Sequence, residues 1–241
     1  MDRVSYDDFA GLVRARRTSM IVDQERAVPV DLVTELCGLA TWAPNHKRTW
    51  PWRFAVFTGD GRARLGEAMA DEMRRADFGD DAKRAKTSLK YLRTPMTLVV
   101  ACAPHDDETL DAENRDAVAA GIQNLLLGAT TLGLASFWST PALPRPGAVL
   151  ELCGFDPDDR LVGIVYLGWA TQDCPAPERP RPSVAHDSDC SRSQRRPGGR
   201  SGPSALFGAT GTWTSGIEKL VDARSRAGGR RTQRGGLVTG N

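Results

Sequence analysis

Two prolines, two tryptophans, a histidine and three cations lie within the twelve residues 43–54. Pro44 and Pro51 fix the backbone and remove hydrogen-bond donors, so this segment is predicted to be a rigid loop and not the interior of a helix. A loop that holds aromatic rings beside cations suits a flat ligand with an anionic group, and a flavin nucleotide has that form. The alternative is a proline-bounded loop whose tryptophans fill the core, and the loop residues alone leave both interpretations open.

Arg16, Arg17 and Thr18 form a second group that could bind an anion, where the first predicted helix ends. A guanidinium group offers forked donors that match phosphate oxygens, so two of them beside a hydroxyl can hold a phosphate. The alternative is a cationic turn that complements the helix dipole. Trp138-Ser139-Thr140 is a third candidate, because side chains at the end of a strand often reach a ligand. Its alternative is that Trp138 belongs to the core.

Apolar patterning predicts the helices and strands that must position these groups. Four apolar segments are predicted to be strands, at residues 54–58, 97–102, 134–138 and 161–167. Helices are predicted from a capping box at Ser5 to about residue 16, over about 29–40, 61–75, 80–92 and 111–132, and in a short segment that ends at Cys153. Strands that alternate with helices indicate one sheet covered by helices, in an α/β or α+β domain. No G-x-G-x-x-G motif follows a strand, so a dinucleotide-binding Rossmann unit is not expected.

Length and composition indicate one globular domain followed by a tail of different character. The chain has 241 residues, 40% of them apolar and 26% charged, which is enough for one domain with a substantial core. Residues 185–241 contain eleven glycines, ten Lys/Arg and four Asp/Glu, which leaves residues 1–184 with 22 cations and 26 acids. We expect a folded domain over 1–174 and a disordered tail, of functional or non-native origin, over 175–241. Nucleic-acid binding is not expected, because the arginines of the tail are not interleaved with aromatic residues.

The first residues of the chain and its cysteines indicate in which cellular compartment the protein is expected. Residues 1–8 are polar and acidic, unlike a signal peptide, and no apolar stretch approaches the ~20 residues that span a bilayer. Five cysteines, an odd number without a C-x-x-C pair, predict neither a disulfide framework nor a zinc site. We expect a cytoplasmic protein that holds no metal ion and has no membrane partner.

The loop motif A-P-x-H-K-x-x-x-P-W-x-F at residues 43–54, together with the Arg16-Arg17-Thr18 triplet, resembles the FMN-dependent nitroreductase family. It is most similar to the short bacterial branch of NAD(P)H nitroreductases whose loop contains A-P-D-H-K, and the similarity runs from about Asp7 to about Trp169. The resemblance implies an α+β fold with a central sheet of about four to five strands flanked by helices, in an intertwined homodimer. It also implies that bound FMN takes a hydride at flavin N5 from NAD(P)H and reduces a nitroaromatic, quinone or similar small-molecule acceptor.

The resemblance further implies which residues contact FMN. The triplet corresponds to the family's contacts with the phosphate and the polar edge of the flavin, and His46 to a histidine that contacts flavin bound mainly by the other subunit. Trp42 occupies a position that is arginine in the family, and residues 138–140 resemble the family's W-R-[ST]-G segment. No catalytic side chain is named, because the flavin carries the redox chemistry. The expected cofactor contacts are Arg16, Arg17, Thr18, Trp42, His46, Trp138, Ser139 and Thr140.

Besides Trp42, two further positions depart from the family pattern by losing a cation. Met20 lies where many nitroreductases have an arginine or lysine near flavin N1 and O2. Ser139 replaces the arginine of W-R-[ST]-G, and Pro141 stands at its glycine position. A cation at either place would stabilise negative charge on the cofactor. The alternative hypothesis is therefore a flavin-binding protein without reductase turnover.

Overall fold

Residues 4–180 and 182 are described by the structure of the chain, a computed structural model. In this part of the chain the sheet consists of β1 (Trp52–Thr58), β2 (Met96–Cys102), β3 (Leu134–Ser139) and β4 (Arg160–Trp169). The helices described there are α1 (Tyr6–Ala15), α2 (Val30–Ala40), α3 (Gly61–Arg75), α4 (Asp81–Lys90), α5 (Glu108–Thr131) and α6 (Gly147–Cys153). This arrangement confirms the predicted α+β class, and each predicted strand and helix is present within a few residues of its expected bounds.

The sheet is antiparallel throughout, with its strands in the order β1-β2-β4-β3. The central strands β2 and β4 are buried on both faces, which explains why their sequences are almost continuously apolar. The pleat sends alternate side chains of β2 to opposite faces, so Leu98 and Val100 enter one core while Val99 and Ala101 enter the other. A four-stranded sheet agrees with the four to five strands expected.

Helices cover both faces of the sheet. On one face α2 and α5 pack with side chains such as Leu36 and Ile122 in the larger core cluster. On the other face α3 and α6 contribute Leu65 and Leu150 to a second cluster around Tyr166 of β4. Each core is therefore formed between one face of the sheet and the apolar stripes of two helices.

Local sequence signals explain where several helices begin and end. Ser5 Oγ accepts a hydrogen bond from the backbone N–H of Asp8 at 3.0 Å, which caps α1 as the sequence predicted. Pro29 is the N-cap residue of α2, where its missing N–H removes no helical hydrogen bond. Gly154 ends α6 in the left-handed region, with a φ of 69° that glycine adopts without steric penalty.

The tail predicted over 175–241 lies mostly outside the described residues and stays a prediction. Its first residues are described, and there the carbonyl of Pro175 accepts a hydrogen bond from Arg17 Nε at 3.2 Å, beside the end of α1. Within the described residues, no helix is long and apolar enough to cross a membrane. The same residues contain no group of three His, Cys, Asp or Glu side chains that could hold a metal ion.

A close approach of α3 and α4 makes Gly66 sensitive to substitution. A Cβ atom at Gly66 would overlap the backbone carbonyl of Ser88, whereas a Cβ atom at Gly11 in α1 would meet no atom within 4 Å. We expect Gly66→Ala to lower the free energy of unfolding by about 1–3 kcal/mol, because the two helices must separate. Gly11→Ala is the matched control and should raise it by about 0.5–1 kcal/mol through higher helix propensity. Urea unfolding of both variants measures the difference, and equal effects would contradict the helix contact.

Candidate functional site

The Arg16-Arg17-Thr18 triplet is held against an outer strand of the sheet. The chain leaves α1 at Arg16, and Thr18 then forms a parallel bridge with Ser136 of β3. The N–H of Ser19 donates to the carbonyl of Ser136 at 3.0 Å, and Arg16 Nη1 donates to Thr18 Oγ1 at 3.4 Å. The position of the triplet is therefore set by backbone hydrogen bonding to the sheet as well as by the end of α1.

A cleft of about 510 Å³ opens beside the triplet. It lies between the last turn of α1, the helix α5 and the segment after β4. Its walls are formed by Val13, Arg14, Arg16, Arg17, Gln123, Ala176, Pro177 and Arg179. Four of these residues are arginines and none is acidic, so the lining carries positive charge without a carboxylate. We call it the arginine cleft. Sequence reasoning missed Arg14 and Arg179, because an arginine at a helix end or in a proline-rich segment carries no signal of its own.

The positive charges of the arginine cleft repel one another. Burial, followed by the guanidinium groups of Arg179 and Arg17, lowers the pKa of Arg16. Arg17 donates to the backbone carbonyls of Pro175 at 3.2 Å, of Arg16 at 3.0 Å and of Arg14, which orient the guanidinium without neutralising it. An anion in the cleft would relieve the repulsion, and a phosphate matches guanidinium donors in both charge and geometry.

A partly buried lysine lies beside the Trp138-Ser139-Thr140 segment. Lys90, the last residue of α4, donates from Nζ to Ser139 Oγ at 3.2 Å and lies 5.9 Å from the ring centroid of Tyr166. Burial, and then the positive charge of Arg93, lower the pKa of Lys90. Ser139 Oγ in turn donates to the carbonyl of Thr140 at 3.3 Å. A cation therefore stands next to Ser139, where the sequence alone indicated that a cation was lost.

Thr18, which follows the arginines of the cleft, and the Lys90–Ser139 pair both contact β3, but residues 136 and 139 of this strand face opposite sides of the sheet. Thr18 pairs with Ser136, and Ser139 follows three residues later on β3, which corresponds to about 10 Å at ~3.3 Å per residue. Met20 packs against the second core cluster and offers no charge to this region. Sequence reasoning missed Lys90 because its contact with Ser139 joins residues that are 49 positions apart.

The candidate tryptophans have different surroundings. Trp138 is partly exposed and lies over Gly163 of β4, where a Cβ atom would clash with the indole. Trp42 follows α2 and is 84% exposed. In the loop at residues 43–54, Trp52 belongs to the core whereas Trp50 is 60% exposed. Trp52 therefore fits the interpretation that the tryptophans fill the core, whereas Trp50 is exposed and fits the interpretation that they bind a ligand.

The loop predicted over residues 43–54 ends at Pro51, because Trp52 begins β1. Residues 43–51, called the His46 loop from here on, lie apart from the arginine cleft. The His46 loop contains a short 3₁₀ turn, His46–Arg48, in which His46 Nδ1 lies 2.6 Å from Glu113 Oε2 of α5. Gln123, which lines the cleft, follows Glu113 by ten residues on the same helix, or about 15 Å along its axis. The structure therefore does not bring His46 and the arginine cleft together within one chain.

The arrangement of helices and strands matches a known family. The profile of the Nitroreductase family matches residues 13–169. The chain belongs to the nitroreductase family, a family of oxidoreductases. Among curated proteins, "Putative NAD(P)H nitroreductase YdjA" of Escherichia coli K12 is 28% identical over 127 residues, which cover 52% of this chain and 69% of YdjA.

Solved structures show the same fold. A nitroreductase-like protein from Bacillus cereus has a TM-score of 0.63 at 28% identity, over 75% of this chain and 95% of its own. A nitroreductase from Bacteroides fragilis, solved with bound FMN, has a TM-score of 0.56 at 20% identity, over 74% of this chain and 95% of its own. Membership confirms the family that the sequence motifs resemble, and all eight expected cofactor contacts lie inside the matched residues.

The burial of Lys90 predicts a pH-dependent cost to stability. Folding lowers the pKa of Lys90 from its ordinary value of 10.5. At a pH between the lowered and the ordinary pKa, the unfolded chain therefore holds a proton on Lys90 that the folded chain has lost. The contribution of Lys90 to stability should therefore rise as pH increases through this window. Lys90→Met should remove the dependence and raise the free energy of unfolding at neutral pH by about 1 kcal/mol.

Urea unfolding between about pH 7 and pH 10 measures both effects of Lys90→Met. Lys83→Met, on an exposed position of the same helix, is the control; it removes a contact of the ammonium group with the Phe78 ring and should not raise the free energy of unfolding. A Lys90→Met variant that is less stable than the original chain at neutral pH would contradict the prediction.

Proposed function

We propose that the chain is an FMN-dependent NAD(P)H oxidoreductase of the nitroreductase type. The observation that carries the proposal is the arginine cleft, in which Arg14, Arg16, Arg17 and Arg179 line a cavity without a carboxylate. Membership of the nitroreductase family, the name given to YdjA and the FMN bound by the Bacteroides fragilis protein support the same conclusion.

The residues present fit FMN at both of its ends. The Arg16-Arg17-Thr18 triplet and Arg179 would hold the phosphate, because the arginine cleft contains surplus positive charge. Ser139 and Thr140, with Trp138 beside them, would contact the flavin where β3 ends. Lys90 would supply the cation that positions 20 and 139 do not carry.

FMN would supply hydride transfer through its N5 atom, from NAD(P)H to an acceptor for which we propose a nitroaromatic, a quinone or a similar small molecule. The protein's own contribution is position and electrostatics. Lys90 is already desolvated, so its ammonium group interacts with negative charge more strongly than it would in water. Met20, Ser139 and Pro141 together motivate the alternative of a protein without turnover, and the Lys90 contact argues against it at Ser139, where it places a cation.

We also propose that two copies of the chain form the functional unit. Tyr6, Phe9 and Val13 follow one another at helical spacing on α1 and are 77%, 53% and 41% exposed, so α1 carries an apolar stripe that the rest of the described chain leaves uncovered. Trp42 adds a further exposed aromatic side chain at the end of α2. A dimer would cover these side chains and would let Trp42 and His46 reach the flavin of the other subunit.

The described cysteines favour a reducing compartment, and we infer a cytoplasmic location. Cys37, Cys102, Cys153 and Cys174 are free thiols. Burial raises the pKa of Cys37 and of Cys153 to about 12, which keeps both thiols protonated and unreactive.

Reconstitution with FMN tests the proposed function. The purified chain should show the visible absorption of bound flavin and should oxidise NADH or NADPH with a nitroaromatic or quinone acceptor faster than free FMN does. Arg179→Gln should weaken FMN binding about tenfold, because one charge-assisted bond to the phosphate is lost. Arg64→Gln, at an exposed arginine of α3, is the matched control and should bind FMN normally. A colourless chain that takes up no added FMN would overturn the proposal.

Substitution of the α1 stripe tests the dimer. Phe9→Asp places a charge in the exposed apolar stripe and should convert a dimer into a monomer, with a loss of FMN affinity of about tenfold or more. Light scattering measures the mass, and circular dichroism verifies that the helices remain. Leu89→Asp introduces the same charge at an exposed leucine of α4 and should leave the dimer intact. A monomeric original chain at micromolar concentration would rule out the dimer.

A further inference from the structure

The contact between His46 and Glu113 determines which nitrogen of the imidazole is available. Nδ1 of His46 lies 2.6 Å from Oε2 of Glu113. An ionised carboxylate only accepts hydrogen bonds, so the proton of this bond belongs to Nδ1. The lone pair of the neutral ring is then on Nε2, for which residues 4–180 and 182 provide no hydrogen-bond partner.

His105 has the opposite arrangement. Its Nδ1 accepts a hydrogen bond from the backbone N–H of Asp107 at 3.0 Å. The lone pair of its neutral ring is therefore on Nδ1, and the proton is on Nε2. The two described histidines are thus held in opposite tautomers by their neighbours, and His105 provides an internal reference for His46.

The His46 loop is held in a conformation that its residues disfavour. Lys47, Arg48 and Trp50 have φ values of 58°, 55° and 52°, in the left-handed region. Each such residue costs about 1 kcal/mol or more. The His46–Glu113 pair is about half-exposed, and surface pairs of this kind contribute little to stability. The strained backbone of the turn and the weak His46–Glu113 pair indicate a role in binding, because folding gains little from either feature.

The turn has a second anchor that does not involve Glu113. Asn114, the next residue of α5, is buried and accepts a hydrogen bond from Thr49 Oγ1. Thr49 Oγ1 also accepts from Asn45 Nδ2 at 2.9 Å. Removal of the Glu113 carboxylate should therefore release the imidazole ring while Asn114 continues to hold the turn.

We propose that Glu113 is a positioning residue that holds His46 in the Nδ1–H tautomer and leaves Nε2 to accept a hydrogen bond from the flavin of the neighbouring subunit. The proposal rests on the proposed function, because FMN is the ligand that Nε2 would meet. An accepting nitrogen suits the ribityl hydroxyls or the N3–H group of the flavin and does not suit the phosphate, which itself only accepts. Glu113 therefore selects the part of the cofactor that His46 can contact.

Long-range ¹H–¹⁵N NMR of the FMN-free chain reads the tautomer of each histidine, at about pH 8.5, where a free imidazole is neutral. His46→Gln assigns the signals. We expect Nδ1–H for His46 and Nε2–H for His105. Glu113→Ala should return His46 towards the Nε2–H form that an unconstrained imidazole prefers, whereas Glu113→Gln retains an acceptor oxygen and should retain the Nδ1–H form.

FMN affinity, measured by the quenching of flavin fluorescence, tests the consequence for binding. Glu113→Ala should weaken FMN binding about fivefold to tenfold, and Glu113→Gln should restore most of the loss. Asp116→Ala, at an exposed acid one turn along α5, is the matched control and should have no effect. In the His46→Ala background, Glu113→Ala should cause no further loss, because the carboxylate acts through the imidazole.

Two results would overturn the positioning role. One is His46 in the Nε2–H form in the original chain, and the other is an effect of Glu113→Ala on FMN affinity that persists in the His46→Ala background. Failure of the original chain to bind FMN would count against the proposed function instead. The tautomer measurement distinguishes the two cases, because it is made without cofactor.

Discussion

The packing of α5 across one face of the sheet is the interaction on which the rest of the structure depends. Ile122 and Leu125 of this helix enter the larger core, and Gly121 lets the backbone approach the carbonyl of Ala40 in α2. The first turns of the same helix hold the His46 loop, and Gln123 lines the arginine cleft. Because one continuous helix carries all of these contacts, helix geometry and not loop conformation sets the distance between the loop and the cleft.

Several features of the candidate site contribute little to the stability of the fold. Four arginines surround the cleft without a carboxylate, Lys90 is partly buried with a lowered pKa, and three residues of the His46 loop have left-handed backbones. Local rules of stability are commonly broken where a protein binds a ligand. A bound phosphate would turn the repulsion within the cleft into attraction, so a ligand would stabilise the folded chain through charge as well as through contact.

The sequence predicts the elements of the fold well because the information needed for them is local. The central strands are apolar on both faces, Ser5 caps α1, and Gly154 marks the end of α6. Two short motifs were sufficient to identify the family. By contrast, Lys90 is part of a polar helix in which nothing distinguishes it from its neighbours, and its meaning depends on Ser139. The same holds for Glu113, which is 67 positions from His46, since only the folded chain brings such residues together.

The order of the strands has a consequence for the route by which the site forms. Helices α3 and α4 separate β1 from β2, α6 separates β3 from β4, and the path from β2 to β4 includes α5 and β3, so no pairing is made through a tight hairpin. Each pairing must close a long loop before its contacts form, which is slow compared with the folding of a helix. Thr18 meets Ser136, and Lys90 meets Ser139, only after these closures. The candidate site of a growing chain therefore assembles only when nearly the whole domain has been synthesised.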